Sequence, residues 1–99
     1  MELMNGYEMK TTFVSDFAIA NAFGESAVRD TYKRAKKSWK GNVVYMAELE
    51  VALNLHLWDC YNKQNPLAVV YDELWRELHD ENMETFEGND FTTYFNITD

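Results

Sequence analysis

Residues 43–62, VVYMAELEVALNLHLWDCYN, decide the fold. Drawn as a helix the segment is apolar nearly all round: Met46, Leu49, Leu53, Leu57 and Tyr61 form one row, and Val44, Val51, Leu55 and Trp58 extend it. A helix with so little polar face belongs at the centre of a bundle or in a dimer interface. No stretch of the chain approaches the ~18 uninterrupted apolar residues of a membrane span.

The punctuation on either side separates further helices. Upstream, Gly41 stops one helix and Asn42 offers a cap for the central one. The preceding segment, Ser26 to Lys40, places Val28, Tyr32, Ala35 and Trp39 at i, i+4, i+7 and i+11, an amphipathic stripe. Downstream, Asn65-Pro66 reads as a cap followed by proline at the first helical position. The helix it opens runs from Pro66 to about Glu87, with Leu67, Tyr71, Leu74, Trp75 and Leu78 on its apolar face, and Gly88 ends it. Asp90 can cap a last short turn in which Phe91, Tyr94 and Phe95 fold back onto the bundle.

Nearer the N-terminus, KTTFV (10–14) favours β structure but is too brief to build a sheet. Ser15 then caps a short helix, ended by Gly24, with Phe17, Ala20 and Phe23 on one face. Residues 1 to 10 read as a flexible lead-in, with Met4 and Met9 as alternative starts. The expectation is one all-α domain over residues 1–99, a small helical bundle of four main helices plus a short C-terminal helix. Links this short favour antiparallel neighbours.

Apolar residues make up 46% of the chain and charged residues 26%, a globular balance that excludes wholesale disorder. Three Trp, six Tyr and six Phe are a heavy aromatic load for 99 residues, so some rings should reach the surface and suit a partner. The lone Cys60 cannot form an internal disulfide, and with no signal peptide this points to the cytoplasm.

Catalytic patterns are missing. A carboxylate-bridged metal bundle needs Glu-x-x-His, but Leu53 and Arg76 stand three residues before His56 and His79. His56 and Cys60 share a face at i, i+4 without further ligands, so Cys60 reads as a small core residue. The four glycines are scattered and form no phosphate loop. The reading is a non-enzyme with no cofactor and no metal.

Charge is divided. Residues 26–40 hold six Lys/Arg against Asp30, while residues 64–99 hold nine carboxylates against Arg76, within a net charge of −8. That balance opposes general binding to nucleic acid. Arg29, Lys33, Lys36 and Lys40 lie along one side of the basic helix. They are the alternative, nucleic-acid-binding set of a DNA-binding regulator. The helix dipole alone accounts for cations in that C-terminal half.

The acidic stripe is harder to account for. Glu73, Glu77, Asp80, Glu84 and Glu87 cluster opposite the apolar face of their helix. With Glu81 they form six like-charge pairs at i, i+3 or i, i+4, which cost about 1–3 kcal/mol before screening. Three readings follow: a solvated face, pairing with the basic helix within one chain or across a homodimer, or a docking surface for a basic protein.

Across most of its length the sequence resembles small acidic proteins of bacterial mobile genetic elements. The likeness lies in TTFVSDFAIANAFGESAVRDTYKRA (11–35), LNLHLWDCYN (53–62), VYDELWRE (70–77) and YFNITD (94–99). It implies an accessory role such as defeating a host defence, in the manner of anti-CRISPR and antirestriction inhibitors, and assigns no residue a role. The leading expectation is therefore a cytoplasmic protein-binding module. It occupies a partner's basic, nucleic-acid-handling surface through Glu73, Glu77, Asp80, Glu84 and Glu87. Trp75 or the Phe91/Tyr94/Phe95 turn supplies the anchors. The remaining alternative is a structural homodimer with no ligand.

Overall fold

The computed structural model describes residues 6–85. Among them the chain is all-helical, a bundle of four helices: α1 (Gly6–Asn21), α2 (Glu25–Trp39), α3 (Val43–Asn62) and α4 (Leu67–Thr85). The short C-terminal turn and its Phe91, Tyr94 and Phe95 lie outside the described residues.

The boundaries of the last three helices follow the punctuation. Gly24 and Gly41 adopt positive φ, 104° and 89°, the left-handed backbone that glycine enters without a Cβ penalty. The Asn42 side chain accepts from the Tyr45 N–H at 3.0 Å, and the Asn65 side chain accepts from the Leu67 N–H at 2.9 Å. The end of α3 departs from the usual glycine. Gln64 takes the left-handed position (φ 57°), and the Asn65 and Gln64 N–H groups donate back to the Cys60 and Tyr61 carbonyls at 2.8 and 3.1 Å. These two bonds close a Schellman motif with a non-glycine residue.

The first helix is the correction. KTTFV is neither extended nor outside the bundle, Ser15 is an exposed mid-helix residue rather than a cap, and helix already begins at Gly6 within the supposed lead-in. The reason is packing. Met9, Phe13, Phe17 and Ala20 recur at helical spacing and are all buried, and that burial overrides the weak β preference of Thr11, Thr12 and Val14. Thr12 returns its hydroxyl to the Glu8 carbonyl at 3.0 Å, so its polar atom is satisfied inside the helix. Phe23 does not join the Phe17–Ala20 face. It lies beyond the end of α1 and is exposed.

Helix α3 is central. It packs most extensively against α4 and then α1, while α2 sits mainly on α1. Its buried set includes Tyr45, Met46, Leu49, Ala52, Leu53 and Cys60. The basic helix buries Val28, Tyr32 and Ala35 as its stripe requires, and α4 buries Val70, Tyr71, Leu74 and Leu78.

A polar knot sits inside this core. The His56 ring stacks on Tyr71 (centroids 5.2 Å, 17°) and meets the edge of Phe17. Its Nε2–H donates to the Val14 carbonyl at 2.9 Å, so Nδ1 is left to accept from the Asn21 amide at 3.3 Å. Asn21 in turn accepts from the Tyr71 hydroxyl at 2.5 Å. The knot ties α1, α3 and α4 with every ring nitrogen of His56 engaged, and Cys60 is a buried free thiol nearby on α3.

Candidate interaction surfaces

The first surface is a charged groove of about 690 Å³ between α2 and α4. Successive turns of α2 present Arg29, Lys33, Lys36 and Lys40, and α4 presents Glu73, Glu77 and Glu81 across from them. Arg29 bonds Glu25 on its own helix at 2.7 Å and Glu73 on α4 at 2.8 Å. Lys36 reaches Glu81 at 2.5 Å and Glu77 at 3.9 Å, and lies over the Tyr32 ring with 5.0 Å to its centroid. Tyr32 is buried in the floor. Burial, and then the charges of Glu77 and Glu81, hold its phenol well above the ordinary tyrosine range, so it stays protonated.

The two stripes therefore meet within one chain, which supplies the compensation that the crowded carboxylates of α4 lack locally. The proposed partner-binding residues divide accordingly. Glu73 and Glu77 face α2 and share its cations. Asp80 and Glu84 are exposed, with no ion-pair partner among the described residues, and Glu84 lines the groove near its Lys40 end. Glu87 lies outside the described residues. Of the alternative nucleic-acid-binding set, Arg29 and Lys36 are tied to α4, whereas Lys33 and Lys40 have no carboxylate partner among the described residues.

These pairs are half-exposed, so each is worth little. A double-mutant cycle on Lys36→Ala and Glu81→Ala, followed by urea unfolding, should give a coupling of about 0.2–1 kcal/mol that shrinks in molar salt. A coupling near zero at low salt would mean that the contact does not hold α2 to α4.

The second surface is the outer side of α3. Leu55, Trp58 and Tyr61, which the apolar row placed at the bundle centre or in a dimer interface, are 50%, 55% and 65% exposed in the single chain. Trp58 and Tyr61 pack edge to face with centroids 5.7 Å apart. Their apolar character made them look internal. The helix is apolar on more sides than its neighbours can cover, and that excess is the surface signal. Trp75, expected as an exposed anchor, is only part-exposed and stacks on His79 (5.2 Å, 13°).

The third feature joins α3 to α4. His79 Nδ1 contacts Glu50 Oε1, and the Asn82 amide donates to the other Glu50 oxygen at 3.2 Å and to the Met46 carbonyl at 3.3 Å. Glu50 is 3% exposed. Burial pushes its carboxyl above the usual range, against the opposing hydrogen bonds from His79 and Asn82. Beside this pair opens a recess of about 340 Å³ lined by Glu50, Val51, Asn54, Leu55, Trp75 and His79. Sequence reasoning missed Glu50, although a carboxylate inside the most apolar helix was a visible irregularity.

Among the described residues no group of three or more His, Cys, Asp or Glu side chains converges on a metal position. No helix of the described residues is long and apolar enough to cross a membrane. No protein-family model, curated protein or solved structure matches the chain.

Proposed function

We propose that the protein is a small non-enzymatic binding module whose working surface is the outer side of α3 and α4. One observation carries the reading: Leu55, Trp58 and Tyr61 stand exposed in a row on the central helix, where water contact costs most. Trp and Tyr of this kind are the residues that most often anchor protein partners. Rings that can bury roughly 150–250 Å² each, half to two-thirds exposed, together with Leu55 offer a few hundred Å². That is less than the roughly 800 Å² that each side of a standard interface buries, so the row is an anchor and the partner must extend beyond it.

It extends naturally onto α4. At about 100° per residue, Met83 falls between His79 and Asp80, so the outer face passes from Trp75 and His79 through Met83 to Asp80, with the exposed Glu84 beyond it at the rim of the α2–α4 groove. Met83 is itself exposed. An apolar anchor beside carboxylates that have no ion-pair partner among the described residues suits a partner with a basic rim. The resemblance to mobile-element proteins would make a nucleic-acid-handling defence protein a fitting example. The acidic contribution is thus assigned to Asp80, with Glu84 at the groove rim, while Glu73 and Glu77 act mainly within the bundle. Phosphate binding by α2 is disfavoured because Glu73, Glu77 and Glu81 stand across the groove from its cations.

The test is affinity capture from the producing cells with mass spectrometry, run on the native chain, Trp58→Ala/Tyr61→Ala and Asp80→Lys/Glu84→Lys. One partner recovered with the native chain should fall at least about tenfold with each double variant, while far-UV circular dichroism stays unchanged. Equal recovery with both variants would remove this face from the mechanism.

A further inference from the structure

The recess between α3 and α4 sets the His79 ring and the buried Glu50 carboxyl among apolar walls. Its volume of about 340 Å³ is at the lower limit of the roughly 300–1,000 Å³ typical of small-molecule pockets, a scale suited to the end of one large side chain. Glu50 occupies Nδ1 of His79, so Nε2 is the remaining polar atom of that ring, on a side chain that is 41% exposed. In the tautomer that gives Nδ1–H to Glu50, the ring carries an acceptor lone pair at Nε2. The Trp75 indole lies parallel to the same imidazole.

We infer that this recess receives an arginine side chain of the partner, its guanidinium lying over Trp75 and donating to Nε2 of His79. The inference rests on the reading of the outer face as a protein-binding surface.

The chemistry of the lining selects the group. Among the described residues no Lys or Arg lines the recess, so an anion finds no charge partner beside the Glu50 carboxyl. A purely alkyl group would cover Nε2 without offering it a donor. A guanidinium offers donors in a plane, sheds water more readily than an ammonium, and is attracted to the face of an indole. Arg76 on α4 is engaged elsewhere, held by both oxygens of Asp72 at 3.1 Å. From α3 the recess is faced by Glu50 and the neutral Asn54, and from α4 by His79, with no other titratable group in the lining. The chain's net charge of −8 and the exposed Asp80 and Glu84 favour a partner rich in such side chains.

The experiment uses the whole chain and short end-blocked peptides bearing one arginine, lysine or citrulline among glycines. His79 is followed by its ring Cε1–H resonance, with His56 as an internal reference. The arginine peptide should shift the His79 signal saturably and leave that of His56 in place. The citrulline peptide should bind about tenfold more weakly, and Trp75→Leu should remove the response. A His79 signal that does not move, or equal responses to the arginine and citrulline peptides, would overturn the inference. A lysine peptide that binds as tightly would overturn the guanidinium assignment. If the peptides fail while partner capture still requires Trp58, Tyr61, Asp80 and Glu84, this inference falls and the binding-module reading stands.

Discussion

Phe13→Ala should cost about 3–5 kcal/mol, the range for removing a large buried ring from a packed core. Phe13 is 3% exposed and sits between buried Met9 and Phe17 on the inner side of α1. The neighbours that line its cavity belong to helices fixed by several other contacts, so collapse should be incomplete and the cavity term should remain. Domains of this size have about 5–15 kcal/mol in total, so the variant would lose a large share of its stability. At roughly 4–8 °C per kcal/mol, thermal unfolding should fall by about 12–40 °C. Circular dichroism melts of the two chains decide it. A shift under about 4 °C would mean that the N-terminal half of α1 is not part of the core, as the reading of 1–10 as a lead-in and KTTFV as an isolated β-favouring segment implied.

The second large effect is expected at the polar knot. His56→Ala should cost about 3 kcal/mol, from a cavity beside Tyr71 and Phe17 together with orphaned polar groups. The Val14 carbonyl can keep its helical bond, but the Asn21 amide loses the ring acceptor that it meets at 3.3 Å. The loss should divide in a recognisable way. Tyr71→Phe removes only the hydroxyl that reaches Asn21 at 2.5 Å, keeps the ring stack, and should cost about 1–2 kcal/mol. Because both side chains bond Asn21, the double variant should lose less than the sum of the singles. Urea unfolding of the four chains measures this. Strict additivity would mean that His56 and Tyr71 are merely neighbours and that the Asn21 bridge couples nothing.

Much of the architecture was legible in the residues. The glycines at 24 and 41 and the asparagines at 42 and 65 mark helix ends through local backbone chemistry, which distant contacts hardly alter. The stripes of α2 and α4 follow from periodicity. The encirclement of residues 43–62 by apolar side chains placed α3 at the centre. The misreading of α1 came from weighing Thr11, Thr12 and Val14 as β-formers, when the decisive signal was the spacing of Met9, Phe13 and Phe17. Local preference is worth tenths of a kcal/mol per residue, and burying a large apolar side chain is worth about 1.5–3 kcal/mol, so packing wins.

The surfaces were less legible. Divided charge on α2 and α4 is evident in the sequence, and so is the energetic difficulty of the α4 carboxylates. Whether those carboxylates look outward or toward α2 depends on how the two helices are set about α3, and no local rule fixes that. Glu50 and His79 are separated by 29 positions and share nothing that periodicity can detect. The sequence by itself determined an all-helical chain, most helix ends and the central place of α3, because these follow from dihedral preference and from one segment's hydrophobic period. Only the tertiary structure decided which apolar residues of α3 remain in water, which carboxylates of α4 are neutralised by Arg29 and Lys36, and that a buried glutamate holds His79 beside a recess. These are properties of pairs of helices, and they exist only once the packing geometry brings distant side chains together.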